Sequence, residues 1–75
     1  MKFYILKPKK YWQPWYDKTF GVIVRAENES EARQLASKMA GDEGSEVWLD
    51  PSTTVCDILL AEGPPEVIMV DFKSA

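Results

Sequence analysis

Histidine is absent from this chain of 75 residues, and cysteine occurs once, as Cys56. Histidine is the commonest general base near neutral pH and a frequent zinc ligand, so its absence argues against acid–base catalysis and against a structural zinc site. One cysteine cannot form an internal disulfide, which fits a reducing compartment. We therefore expect a non-enzymatic protein with no catalytic residues, no metal site and no cofactor.

Long apolar stretches are missing as well. No segment approaches the roughly 18 consecutive apolar residues that a membrane-spanning helix requires, and the apolar run at residues 3–6 is too short for a signal peptide. A chain of this length forms a single domain, residues 1–75, which buries only about 60% of its unfolded surface. The sequence thus predicts one cytoplasmic domain with a small core and no membrane contact.

Charge is distributed unevenly along the chain. Residues 2–25 contain six of the nine basic side chains and one acid, Asp17, whereas residues 26–75 contain three basic and eleven acidic side chains. The net charges of these two parts are therefore +5 and −8. The first part also contains seven of the nine aromatic residues. Such asymmetry indicates a contact surface rather than a particular chemistry.

The segment 7–18 is the main candidate for that surface, since its aromatic rings alternate with lysines and prolines. Such rings and lysines bind either protein hot spots or nucleic acid; alternatively, the rings fold back and cap the sheet. Because residues 26–75 have a net charge of −8, the domain is expected to repel a phosphate backbone. Nucleic acid is therefore the weaker alternative. The candidate partner-binding residues are Lys9, Lys10, Tyr11, Trp12, Trp15, Tyr16 and Lys18.

Acidic residues form a second candidate group, able to pair with a basic groove on a partner. Its members are Glu29, Asp42, Glu43 and Glu46. Simpler roles compete with partner binding: acids in the first turn of a helix interact favourably with its dipole, and acids in a turn are usually solvated. No spacing of these residues fits a calcium loop.

The best-defined predicted element is a helix that begins after Asn28 and ends at Gly41. Asn28 is a favourable N-cap, and Glu31 stands at the position that completes a capping box. An apolar stripe is expected to face the sheet; it comprises Ala32, Leu35, Ala36, Met39 and Ala40. The opposite, polar side comprises Arg33, Gln34, Ser37 and Lys38.

Strands are predicted at residues 2–7 and 19–26, which would form an antiparallel hairpin with a long loop. A short strand is expected at 47–49, a turn at 50–53, and a second hairpin from strands 54–60 and 67–72. Asp50 followed by Pro51 is also a helix start, so 50–60 remains open between strand and helix. The predicted fold is α+β, in the order β-β-α-β-β-β. Its mostly antiparallel sheet has four to five strands, with one helix packed on one face and the other face solvated or covered by the aromatic loop.

Five motifs in residues 16–72 resemble a family of short uncharacterised proteins of phages and prophages. They are Tyr16-Asp-Lys-Thr-Phe-Gly21, the run from Ala26 to Ala36, Gly41-Asp-Glu-Gly44, Trp48-Leu-Asp-Pro51 and Thr54-Val-Cys56. In size and acidity the chain is also similar to anti-CRISPR proteins and other phage inhibitors of host defence. The resemblance implies a non-enzymatic, phage-encoded protein that binds a host defence complex in the bacterial cytoplasm.

Two other functions are consistent with the same residues. One is a sponge for a nucleotide signal, with Tyr11, Trp12, Trp15 and Tyr16 stacked on a base and Lys9, Lys10 or Lys18 on phosphate. The other is a structural, homodimeric module in which the aromatic loop only completes the core.

Overall fold

The computed structural model describes residues 1–14 and 16–70 of the chain. Its elements are β1 (Lys2–Pro8), β2 (Val22–Ala26), α1 (Glu29–Ser37), α2 (Glu46–Leu49) and β3 (Thr54–Ile58). The three strands form an antiparallel sheet in the order β2-β1-β3. The predicted α+β class is therefore confirmed, with fewer strands and one more helix in the described residues than the sequence predicted.

Strand β1 lies in the middle of the sheet and is buried on both faces, since Ile5, on the face away from Tyr4 and Leu6, is only 4% exposed. Tyr4 pairs with Val24 on β2 and with Ile58 on β3, and Leu6 pairs with Val22 and Cys56. Side chains alternate between the two faces of a strand. Tyr4 and Leu6 are buried in the main core, which also contains Ala26, Ala32, Ala36 and Trp48.

The start of α1 was predicted correctly. The Asn28 side chain accepts a hydrogen bond from the Glu31 backbone N–H at 2.9 Å, and the Glu31 carboxylate accepts one from the Glu27 N–H at 2.9 Å. The helix ends earlier than predicted, at Ser37. Beyond it the chain tightens, since the N–H of Met39 donates to the carbonyl of Ala36 three residues before it.

The buried side of α1 differs from the predicted stripe. Ala32 and Ala36 are fully buried as expected, but Leu35 is 37% and Met39 63% exposed. Arg33, predicted on the polar side, is only 7% exposed. The prediction was wrong for these three residues because it used only the apolar character of the side chains. The helix instead buries the side of Arg33, whose hydrogen bonds are satisfied inside the fold.

Arg33 joins three elements. Its Nη1 donates to the carbonyl of Trp48 at 3.1 Å and to the hydroxyl of Thr54 at 2.8 Å, and its Nη2 donates to the carbonyl of Thr54 at 3.1 Å. Its Nε donates to the Glu29 carboxylate at 2.8 Å. A buried charge is tolerated only with such partners; here they fasten α1 to α2 and β3.

Residues 47–49 are helical rather than a strand, so this prediction was wrong. They belong to the single turn α2, which places the Trp48 side chain fully inside the core. Three apolar residues cannot distinguish the two structures by periodicity. The turn before β3 is as predicted: the Asp50 carboxylate accepts from the Ser52 backbone N–H and hydroxyl at 2.8 and 2.7 Å. β3 then begins at Thr54 as predicted and ends at Ile58 instead of residue 60.

The predicted second hairpin does not form in the described residues. Residues 67–70 have no strand structure, and β3 pairs with β1 instead; the rest of the predicted strand, 71–72, lies outside the described residues. The segment 67–70 packs beside the sheet: Lys7 Nζ donates to the Ile68 carbonyl at 3.3 Å. Met69 Cε occupies the position that a Cβ atom on Gly21 would take. This segment therefore covers part of the face opposite α1.

Candidate functional site

The loop between β1 and β2 turns one of its aromatic rings inward. Trp12 Nε1 donates to the carbonyl of Thr19 at 2.5 Å. Its ring meets that of Trp48 edge to face, with centroids 6.1 Å apart and planes at 80°, a favourable aromatic geometry. Trp12 is half-buried and packs against the core. Trp12 therefore caps the core, which is one of the alternatives that the sequence left open for the aromatic loop.

Glu43 holds the same loop to the connection between α1 and α2. Its Oε1 accepts from the backbone N–H groups of Thr19 and Gly41 at 2.9 and 3.0 Å, and its Oε2 accepts from Trp48 Nε1 at 2.7 Å. Partial burial raises the pKa of Glu43. The hydrogen bonds from Thr19, Trp48 and Gly41 outweigh that effect, so the pKa lies below its ordinary value.

Backbone contacts complete this attachment. The Asp42 N–H donates to the carbonyl of Asp17 at 2.7 Å, and the Thr19 hydroxyl donates to the carbonyl of Met39 at 2.8 Å. The Asp17 carbonyl lies where a Cβ atom on Gly41 would stand, so this close approach requires glycine. The Gly41-Asp-Glu-Gly44 motif therefore fixes the loop in position.

The outer part of the loop lines an open cleft of about 850 Å³ between the end of β1, the start of β2 and the segment 67–70. Four of its lining residues are lysines, and among the described lining residues none is acidic. We call this feature the basic cleft; its defining residues are Lys7, Lys9, Lys10, Tyr11, Lys18 and Phe20.

Apolar side chains lie between the lysines of the basic cleft. The rings of Tyr11 and Phe20 are 5.9 Å apart between centroids, with planes tilted by 49°, and Tyr11 is 77% exposed. The segment 67–70 contributes further exposed apolar side chains to the opposite wall. The Lys9 backbone N–H is bonded to the Thr53 carbonyl at 3.0 Å, which fixes the start of the loop. The cleft thus offers dispersed positive charge together with apolar area.

The predicted aromatic and basic residues are divided by the fold. Lys9, Lys10, Tyr11 and Lys18 come together in the basic cleft, whereas Trp12 is directed into the core. Tyr16 is exposed, and Trp15 lies outside the described residues. Neither Phe20 nor the segment 67–70 was predicted to belong to the site. Lys7, however, carried a signal, because it is the first residue of the basic and aromatic segment 7–18.

The acidic group is also divided. Glu29 is paired with Arg33 at 2.8 Å, and the Glu43 carboxylate is engaged by three internal donors. Asp42 and Glu46 are exposed. Of these four residues, therefore, only Asp42 and Glu46 can offer a carboxylate to a partner without loss of a hydrogen bond within the described part of the chain.

Cys56 lies half-buried on β3, opposite Leu6. Burial raises the pKa of its thiol, with the nearby Glu29 acting in the same direction and Arg33 opposing. A raised thiol pKa lowers the thiolate fraction and hence the reactivity. Within residues 1–14 and 16–70, no group of three or more Cys, Asp or Glu residues is placed to hold a metal ion. In the same part of the chain, no helix has the length and apolarity to cross a membrane.

Comparisons with known proteins found no relative of this chain. No protein-family model matches the chain, no curated protein matches it, and no solved structure matches it. The resemblance to phage and prophage proteins therefore stays a prediction from the motifs quoted above.

Proposed function

We propose that this protein is a non-enzymatic binding protein, that the basic cleft is its main contact surface, and that its partner is another protein. The observation behind this proposal is the cleft itself. Four lysines line one open depression in a chain with a net charge of −3, and no carboxylate is found among the lining residues that are described. Charge of one sign in a concave site attracts a partner of the opposite sign.

The aromatic residue that anchors the contact is Tyr11 rather than Trp12. Tyr11 is largely exposed and stands among the lysines, whereas removing Trp12 from its contact with Trp48 would open the core. Tyrosine is one of the residues enriched in interface hot spots. Asp42 and Glu46, the exposed members of the acidic group, would pair with basic residues at the edge of the interface.

The proposed setting follows from the resemblance to phage proteins. We propose that the protein is encoded by a phage or another mobile element and acts in the cytoplasm of the host bacterium. There it would inhibit a host defence complex, as anti-CRISPR proteins do, by occupying a functional surface of the complex. The rigid attachment of the loop through Glu43 and Gly41 supports an inhibitor, because a preformed surface loses little conformational entropy on binding.

The test is a pull-down from bacterial lysate with the wild-type protein and two variants of equal net charge. One variant, Lys9→Gln/Lys10→Gln, removes two charges from the basic cleft; the other, Lys2→Gln/Lys38→Gln, removes two outside its described lining. We expect a protein that the wild type and the outer variant retain and the cleft variant loses. No retained protein at mild salt, together with a monomer on sizing, would contradict the proposal.

A plaque assay tests the setting separately. Expression of the wild-type protein in a strain with an active defence system should restore phage plating, and expression of Lys9→Gln/Lys10→Gln should not. If a partner is found but plating is unchanged against every defence system tried, the binding function stands and the inhibitor role fails.

A small-ligand role is the second candidate. The volume of the basic cleft, about 850 Å³, falls in the range of roughly 300–1,000 Å³ typical of small-molecule sites. Tyr11 would stack on the base of a nucleotide, with Lys9, Lys10 or Lys18 on its phosphates. Thermal stabilisation of the protein by a panel of nucleotides measures this role directly. The remaining alternative, a structural homodimeric module, is tested by size-exclusion chromatography, where a monomer argues against it.

A further inference from the structure

We infer that the basic cleft takes a short, extended acidic segment of the partner protein, in which carboxylates alternate with apolar side chains. This inference rests on the proposed function and names the chemistry of the partner at the same site. It depends on three features of the cleft: the distribution of its charges, the apolar area between them, and the fact that no helix N-terminus and no open glycine-rich turn occurs among its described lining residues.

The positive charges lie on separate parts of the cleft. Lys7 belongs to β1, Lys9 and Lys10 follow its end, and Lys18 stands on the returning arm of the loop. Lys9 and Lys10 are exposed, and an exposed ion pair contributes little by itself. Useful affinity therefore requires several negative charges at a distance from each other, which a segment with several Asp or Glu residues supplies and a single compact anion does not.

The apolar area calls for apolar side chains between those charges. Tyr11 and Phe20 form one wall, and Val67, Ile68, Met69 and Val70 lie along another with 76%, 41%, 37% and 67% of their area exposed. In an extended peptide, successive side chains point in opposite directions. A segment that alternates acidic and apolar residues can thus direct its apolar set into the cleft and hold its carboxylates towards solvent, where Lys9 and Lys10 are exposed.

Phosphate groups are often bound by backbone N–H groups of glycine-rich turns or by the N-terminus of a helix, in addition to basic side chains. Among the described lining residues, none belongs to α1 or α2. The glycine that lines the cleft, Gly21, is covered by the Met69 side chain. The Lys9 N–H is bonded to Thr53. The cleft therefore favours carboxylates held by side chains over a nucleotide held by its phosphates.

The test measures binding of a fluorescein-labelled peptide of about ten residues, in which Glu alternates with Leu and Phe, by fluorescence anisotropy. Two probes serve as controls: the same peptide with Gln in place of Glu, and ATP. We expect the acidic peptide to bind and both controls to bind at least about fivefold more weakly. Its affinity should fall as added salt screens the charges.

Matched variants locate the binding. Lys9→Gln/Lys10→Gln should weaken the peptide by about fivefold or more, the size of two exposed ion pairs. Lys2→Gln/Lys38→Gln should change it less than about twofold, although its net charge is the same. Equal losses in both variants would mean that only overall charge matters and would overturn the inference. Denaturation curves of both variants confirm that they fold.

Other outcomes are equally decisive. Binding of ATP with no binding of the acidic peptide assigns the cleft to nucleotides and overturns the inference. Concentration-dependent self-association that Lys9→Gln/Lys10→Gln abolishes assigns the cleft to the acidic surface of a second copy, and also overturns it. If the peptide does not bind but the pull-down partner is still lost with the cleft variant, the acidic segment is refuted while the proposed function stands.

Discussion

Arg33 of α1 donates to both the hydroxyl and the carbonyl oxygen of Thr54, at 2.8 and 3.1 Å. The Thr54 hydroxyl in turn donates to the carbonyl of Val47 at 2.9 Å. One buried guanidinium thereby fixes the start of β3 relative to both helices, in a domain whose core is otherwise small.

Arg33→Ala should reduce the free energy of unfolding by about 2–4 kcal/mol, since it leaves the buried polar atoms of Thr54 and the Trp48 carbonyl without their donor. The matched control is Arg25→Ala. Arg25 is exposed and lies over the Phe3 ring, 5.2 Å from its centroid, and its loss should cost less than about 1 kcal/mol. Urea denaturation compares the two, and similar losses would contradict a central role for Arg33.

Glu43→Gln should destabilise the fold by about 1–2 kcal/mol at neutral pH, because charge-assisted hydrogen bonds are stronger than neutral ones. Asp42→Asn, at the exposed neighbouring position, is the control and should stay within about 0.5 kcal/mol of the wild type. Chemical denaturation at pH 7 measures both. Equal stability of the two variants would show that the Glu43 carboxylate does not hold the loop.

The same carboxylate predicts a pH dependence. The pKa of Glu43 is lower in the folded protein than its ordinary value of 4.5, so folding favours the charged form. Its contribution to stability is complete above that ordinary value and is lost as the pH falls through the folded value. Unfolding measured between neutral pH and pH 3 should therefore show a shallower acid-side decline for Glu43→Gln than for the wild type. Parallel declines would rule out this contribution.

Trp12→Ala and Tyr11→Ala separate the structural from the binding role of the loop. Trp12→Ala should cost about 2–3 kcal/mol, less than a fully buried aromatic residue, because Trp12 is half-buried. Tyr11→Ala should leave the free energy of unfolding within about 0.5 kcal/mol and weaken binding of the partner. Denaturation and the pull-down measure these effects. The reverse pattern would mean that Trp12 is the presented ring.

Gly41→Ala should destabilise the protein by about 1–3 kcal/mol, as is usual when a methyl group is forced into a packed position. Its Cβ atom would collide with the Asp17 carbonyl, and the backbone would have to move. Asp42→Ala, next to it and exposed, should have little effect. Thermal unfolding of the two variants decides the matter, and a stable Gly41→Ala protein would show that the loop approaches less closely.

The sequence predicted those parts of the fold that depend on local chemistry. The start of α1 follows from Asn28 and Glu31, and the turn before β3 follows from Asp50, whose partners are all within a few residues. The burial of Arg33 was out of reach because its partners stand 15 and 21 positions away, on residues that form no recognisable pattern with it.

The candidate site was predicted only in part for a similar reason. Lysines at 9, 10 and 18 stand out in the sequence, but which of the neighbouring rings faces solvent depends on Trp48, far along the chain. The segment 67–70 looked like a strand from its composition. It lies instead beside the sheet without strand structure, and β composition describes an apolar surface that packs on a sheet as well as a strand.

The strand order β2-β1-β3 also governs how the chain reaches its fold. Tyr4 pairs with Ile58, 54 positions later, so one side of the central strand stays unpaired until the chain has closed a very large loop. Contacts between residues so distant in sequence slow folding. The hairpin of β1 and β2 with α1 can assemble from nearby residues, and docking of β3 is then the late, entropically costly step. The hydrogen bonds between Arg33 and Thr54 form only in this late step. Loss of the Arg33 side chain is therefore expected to change the unfolding rate more than the folding rate.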